Sequence, residues 1–143
     1  MQKIKFFIVL TILFSLIVLA AACGGASSGG QAQMIKSAPI GKGLTVALAN
    51  DTGKLKSGDQ ELTLSFTDAS GKPVDVGAVS LNFHMPAMGS MAAMNDVATL
   101  TTTSTPGVFK GKVKIDMPGE WQAQVSFEGA SGNGKTSFPL TAQ

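Results

Sequence analysis

The sequence predicts an all-β fold: an immunoglobulin-like antiparallel β-sandwich of about seven strands, preceded by a signal peptide and a flexible tether. From about residue 40 onward, apolar and polar residues alternate with a period of two, which is typical of strands that bury one face. Short turn signals rich in Gly, Pro, Asp and Ser separate these runs. No run has the 3.6-residue period of an amphipathic helix, so we expect two packed antiparallel sheets.

Six alternating runs supply the predicted strands, and residues 95–103 are a further candidate because threonine favours strands. In chain order the six runs lie at residues 44–48, 62–66, 79–85, 109–115, 121–127 and 138–140. The turn signals stand at residues 51–53, 57–59, 70–73, 106–107 and 118–119. With a single cysteine the domain has no disulfide between its sheets, so we expect Trp121 and the phenylalanines to fill the core.

The first 22 residues predict a lipoprotein signal peptide rather than a part of the fold. Lys3 and Lys5 precede an uncharged apolar run from Phe6 to Ala22, which ends in three alanines before Cys23. The segment resembles the bacterial lipobox, which implies that Cys23 is lipidated, with palmitate as a typical acyl chain. An ordinary cleaved signal and a retained anchor are the alternatives, since a membrane span needs about 20 apolar residues.

Residues 23–39 are predicted to be the lipidated cysteine and a flexible linker. Residues 24–35 are rich in Gly, Ser, Ala and Gln, a composition that buries too little apolar area to order itself. The folded domain is predicted at residues 40–143. We therefore expect a domain held in the cell envelope by an N-terminal lipid, facing the periplasm or the cell exterior.

The charge balance argues against nucleic acid as a partner. Without Lys3 and Lys5 the chain has nine lysines against nine acidic residues, and it contains no arginine. Nucleic-acid binding usually requires a basic face with arginine forks, which this composition does not supply.

Residues 129–136, GASGNGKT, satisfy the phosphate-loop pattern G-x-x-x-x-G-K-[ST]. That loop needs a following helix, whose N-terminus helps to hold the phosphates. Only seven residues follow Thr136, and Pro139 interrupts them, so we predict a glycine-rich hairpin between two strands and no nucleotide. The single histidine and the lack of tyrosine leave few groups for acid–base or nucleophilic chemistry, so we expect no enzyme.

Residues 84–94, HMPAMGSMAAM, hold the only histidine and four of the seven methionines. Thioether sulfur is a soft, uncharged ligand that selects ions such as Cu(I), and a neutral imidazole can join it. The candidate ligands are Met88, Met91 and Met94, with help from His84 and Met85. The period of two also makes Met85 a candidate core residue after Val79, Leu81 and Phe83, with His84 on the opposite face.

Three stretches carry a resemblance to a known family: SFTDASGKPVDVGAVSLNFHMPAMGSM, then PGVFKGKVKIDMPGEW, then the closing strands. Residues 40 to 141 resemble the YtkA-like family, which is related to FixH-like proteins. The resemblance implies a small exported β-sandwich, often a lipoprotein or an appendage of a metal-efflux adaptor. It makes Met85, Pro86, Met88 and Gly89 the shared motif positions.

Two functions are expected from these observations. The first is binding of Cu(I) or Ag(I) by the methionine segment, for copper buffering or for delivery to a copper-efflux or oxidase-assembly protein. The second is a metal-independent protein-interaction module, in which the methionines form an adaptable apolar docking surface.

Overall fold

A computed structural model describes residues 31–143, which form two packed antiparallel sheets. The predicted all-β fold is confirmed, and its architecture is that of a β-sandwich. The strands are β1 Gln33–Gly41, β2 Leu44–Asn50, β3 Gly58–Thr67, β4 Ala78–Met85, β5 Met94–Val97, β6 Thr99–Thr102, β7 Val108–Ile115, β8 Gly119–Gly129 and β9 Gly132–Ala142. The signal peptide, Cys23 and the first part of the predicted tether lie outside the described residues. Residues 31–143 contain no helix that could cross a membrane.

One sheet has the order β1-β2-β3-β7-β6 and the other has the order β5-β4-β8-β9. All six runs predicted from the period of two are strands. The candidate at residues 95–103 forms two strands in different sheets, because β5 pairs with β4 whereas β6 pairs with β7. The chain changes sheets at Ala98, which is buried and whose amide donates to the Leu81 carbonyl at 3.0 Å.

Strand β1 occupies part of the segment predicted as linker. Residues 33–39 pair with β2 along most of its length, so the sheet begins earlier than residue 40. Only Ile40 of this strand is buried, and Pro39 suits an edge strand because it lacks an amide donor. Backbone pairing with β2 therefore orders this strand, and its sequence shows almost no alternation of apolar and polar residues.

The core lies between the sheets and is filled by the aromatic residues as predicted. Trp121 is 1% exposed, and its indole nitrogen donates to the Met117 carbonyl at 3.1 Å. The ring of Phe66 meets Phe109 and Phe127 edge-on, with centroids 6.0 and 5.8 Å apart. Such contacts satisfy the one polar atom of the indole and place the aromatic rings in a favoured geometry.

The antiparallel register places several chain ends at one end of the sandwich, which we call the proximal end. It contains the start of β1, the ends of β2, β4, β7 and β9, and the starts of β3, β5 and β8. A bridge between Leu55 and Ala142 joins the two sheets there. The opposite, distal end contains the turns that follow β1, β3, β6 and β8. The methionine segment and the N-terminal side of the domain consequently share the proximal end.

The glycine-rich residues 129–136 form the predicted hairpin. Gly129 pairs with Gly132 at the junction of β8 and β9, and the ladder continues along β9 to its end. A phosphate loop requires a helix after its lysine, but Gly132–Ala142 form the strand β9.

Two distal turns are built by specific polar contacts. The Asp68 carboxylate accepts hydrogen bonds from the Ser70 hydroxyl, the Ser70 amide and the Lys72 amide, at 2.6, 2.8 and 3.1 Å. These bonds stabilise the charged form, so the pKa of Asp68 lies below its ordinary value, with the Ser70 hydroxyl as the largest cause. The Gly107 carbonyl, in the next distal turn, accepts from the Phe66 amide at 2.8 Å.

Gly107 is the position where this packing leaves no room for a side chain. Its φ is +74°, and a Cβ there would lie 2.1 Å from the Val74 carbonyl oxygen. Gly71 has a similar φ of +82°, but a Cβ there would meet nothing within 4 Å. We predict that Gly71→Ala lowers the free energy of unfolding by about 1–2 kcal/mol, the cost of a left-handed alanine. Gly107→Ala will cost several kcal/mol more, which urea denaturation will measure; equal losses would contradict the close approach.

Candidate metal centre

The methionine segment forms a β-hairpin whose two arms separate after Met85 and meet again in an isolated bridge at the tip. Met85 pairs with Met94 where β4 and β5 meet, and Met88 bridges Met91 further out in the same register. The amides of Met88 and Met91 each donate to the other's carbonyl, at 3.2 and 2.9 Å. Only Gly89 and Ser90 lie between them.

The turn at the tip explains why the hairpin continues past Pro86. Gly89 has φ +57°, whereas Ser90 is not among the residues with positive φ. This combination is typical of the two-residue type II′ turn, whose twist matches that of the flanking strands and whose first central position favours glycine. The period-two pattern ends at Pro86 because the side chains beyond it are exposed. The two arms of the hairpin nevertheless pair again at Met88 and Met91.

The structure divides the predicted ligands into two groups. Met88 and Met91 are 52% and 41% exposed at the tip. Met94, the third candidate ligand, is the first residue of β5 and packs against the core with partial burial. Its position follows from the register, because it lies directly opposite the buried Met85.

Met85 is a core residue, as the period of two predicts. It is 2% exposed, and its methyl carbon lies 3.0 Å from the place where a Cβ on Gly119 would stand. Met117 packs against the same core from the turn between β7 and β8. These buried or partly buried thioethers belong to the packing of the proximal end.

His84 lies on the outer, polar face of its sheet and is held by amide side chains. Its Nδ1 is 2.9 Å from the Asn95 Oδ1, the residue directly opposite on β5. The Asn82 amide nitrogen donates to the same oxygen at 3.3 Å and to the Gln124 Oε1 at 3.1 Å. Because a carbonyl oxygen only accepts, Nδ1 carries the proton in the neutral ring, and Nε2 keeps its lone pair.

Asn95 is a functional candidate that the sequence did not reveal. Its role depends on pairing with His84, and that register becomes evident only when the hairpin is known. A side-chain partner that fixes the tautomer of an imidazole is a common feature of metal-binding histidines. His84 is four residues from Met88, about 13 Å along an extended strand, so the histidine and the exposed thioethers are neighbouring clusters.

Other metal chemistry has less support within residues 31–143. No group of three or more His, Cys, Asp and Glu side chains is placed to hold an ion in this part of the chain. Lysines on β7 face acidic groups at the solvated surface, as in the Lys112–Glu61 contact of 3.4 Å. The candidate centre rests on the exposed pair of thioethers itself, whose donor set suits a soft monovalent ion.

The division between core and tip methionines leads to a stability test. Met85→Ala should lower the free energy of unfolding by about 2–5 kcal/mol, because it leaves a cavity in the core. Met88→Ala should change it by no more than about 0.5 kcal/mol, because the side chain is exposed. Denaturant titrations of both variants provide the measurement, and similar losses would show that the tip is part of the folded core.

The comparisons with known proteins give one family match. The model of the YtkA-like family matches residues 40–126, which include the whole methionine hairpin. No curated protein and no solved structure matches the chain. Since the matched residues are more than half of the sequence, the chain belongs to the YtkA-like family.

Proposed function

We propose that this protein is an exported, membrane-tethered domain that binds Cu(I) or Ag(I) through its methionine hairpin. Met88 and Met91 are the principal ligands. The observation that carries the proposal is their pairing: two exposed thioethers stand directly opposite each other across two mutual backbone hydrogen bonds.

The paired geometry suits chelation. In such a hydrogen-bonded antiparallel pair the Cα atoms are about 5.5 Å apart and the side chains lie on the same face. Methionine has three rotatable bonds, so both sulfurs can turn toward one ion without any movement of the backbone. The backbone thus fixes the distance between the ligands while the side chains adapt to the ion.

The other candidate residues have supporting roles in this proposal. Met94 is partly exposed and lies three residues from Met91 in the same arm of the hairpin, so it is a candidate for a third thioether. His84 offers Nε2, with Asn95 holding its Nδ1 proton. Met85 supports the hairpin from below, since its side chain is enclosed by the core.

The predicted location agrees with this ligand set. A thioether does not form disulfides, so methionine suits a soft-metal site in the oxidising environment outside the cytoplasm. We propose that Cys23 is lipidated and that the domain buffers copper or passes it to an efflux or oxidase-assembly protein in the envelope.

The metal proposal is tested by titrating the purified chain with Cu(I) against a competing chelator. Met88→Leu/Met91→Leu keeps the volume and apolar character but removes both sulfurs. We expect it to weaken binding by about tenfold or more, equivalent to about 1.4 kcal/mol. Met34→Leu is the matched control, because Met34 is 63% exposed but lies on β1. Unchanged affinity in the double variant, or an equal loss in the control, would refute the site.

A second function, metal-independent protein interaction, is favoured by the exposed apolar side chains along one hairpin. Val97, at the end of β5, is 71% exposed and adds to the methionine pair. Flexible methionines can adapt to an apolar partner surface.

The interaction function predicts that the chain captures a partner from an envelope extract in the presence of a copper chelator. Met88→Asp/Met91→Asp should abolish the capture, whereas Met34→Asp should leave it intact, because only the former places charges on the docking surface. Pull-down with quantitative mass spectrometry provides the measurement. Capture that requires copper, or that survives the double substitution, would contradict this function.

A further inference from the structure

The exposed apolar side chains of the domain are concentrated at the proximal end. Among residues 31–143 four large hydrophobic residues are exposed: Met34, Met88, Met91 and Val97. Met34 is the second residue of β1, and Met88 and Met91 form the hairpin tip, so three of the four lie at this end. Met34 lies at the lateral edge where β1 packs beside β9, whereas the hairpin lies at the other edge, beside β7. The contiguous exposed apolar surface at this end is therefore the pair Met88 and Met91, and such a surface is a candidate contact site.

The tip itself has a composition that tolerates an apolar environment. Residues 86–93, PAMGSMAA, contain no charged side chain, and the hairpin extends them beyond the last paired residues of β4 and β5. The mutual bonds between Met88 and Met91 satisfy the backbone groups of this pair internally. Unpaired polar groups are the main cost of entering a lipid environment, and this pairing reduces that cost.

The chain on the N-terminal side indicates what covers the proximal end. Gln33 is the tenth residue after Cys23, and the uncharged apolar run from Phe6 to Ala22 precedes that cysteine. Ten residues span at most about 35 Å when fully extended, and about 17 Å on average when flexible. Because β1 begins at the proximal end, this short connection keeps the same end of the domain close to the bilayer.

We propose that the hairpin tip, residues 86–93, docks onto the lipid surface, with Met88 and Met91 inserted among the headgroups. The sandwich then stands with its proximal end on the membrane and its distal turns directed away. The orientation holds whether an acyl chain on Cys23 or the apolar run itself is the anchor, because both precede Gln33. The docking rests on the proposed membrane tether and is stated for the metal-free tip, since it depends on exposure, position and the absence of charge.

The test uses the full chain, reconstituted in neutral phosphatidylcholine vesicles with a copper chelator. One variant carries a nitroxide at the proximal end of the sandwich and another carries it at the distal end. Ser90→Cys labels the tip, and Ser104→Cys is the matched distal control, since Ser104 is exposed in the turn before β7. The unsubstituted chain is labelled in parallel so that any signal from Cys23 is subtracted. Relaxation by oxygen, which enters lipid, is compared with relaxation by a nickel chelate, which stays in water.

We expect the tip label to favour oxygen and the distal label to favour the nickel chelate. Adding Met88→Ser/Met91→Ser should move the tip label to the distal value, while burial of Trp121, followed by its fluorescence, shows that the domain remains folded. Two aqueous labels would overturn the proposal, as would two protected labels, which indicate a domain lying on its side. A tip that stays protected in the serine variant would show that the methionines do not make the contact.

Discussion

The register between β4 and β5 determines where each side chain of the methionine hairpin lies. Leu81, Phe83 and Met85 bury one face of β4, and Met94 lies opposite Met85. Because side chains alternate, a slip of one residue would move this whole apolar set to the solvent face, which the core prohibits. The same register places His84 opposite Asn95 and Met88 opposite Met91. Core packing thus fixes the geometry of two clusters that lie outside the core.

The connections between the sheets give the hairpin its position in the molecule. The chain changes sheets at Ala98, directly after β5, so the strand that carries Met94 is anchored at its far end to the opposite sheet. An amide of the β7–β8 turn also donates to the Asp96 carboxylate at 3.2 Å. The hairpin is consequently held at its base from two directions, while its tip extends at the end where β1 begins. These contacts fix the position of the base of the hairpin, while the exposed methionine side chains at its tip can change conformation.

The sequence predicted those parts of the molecule in which burial alternates. All strands with one buried face, the aromatic core and the hairpin at Gly129 were evident, because the period of two and the turn residues have direct physical causes. Strand β1 was missed because only Ile40 is buried. The hairpin beyond Pro86 was missed because its order comes from backbone pairing, which has no apolar signature. For the same reason the position of Met94 and the contact of Asn95 with His84 could be derived only once the register between β4 and β5 was known.

The proposed metal and membrane roles use the same two side chains, and physical chemistry relates them. An unliganded thioether is apolar, so the free tip can enter the headgroup region. Neutral sulfur ligands would leave the positive charge of a bound Cu(I) uncompensated, so a loaded tip would be more strongly hydrated than a free one. The two proposals together therefore predict that metal loading weakens lipid docking at Met88 and Met91. On this reasoning a loaded tip would move toward water, and a tip that has lost its ion would regain its affinity for lipid. The charge of the ion would then determine the position of the hairpin, and this dependence links the two proposals.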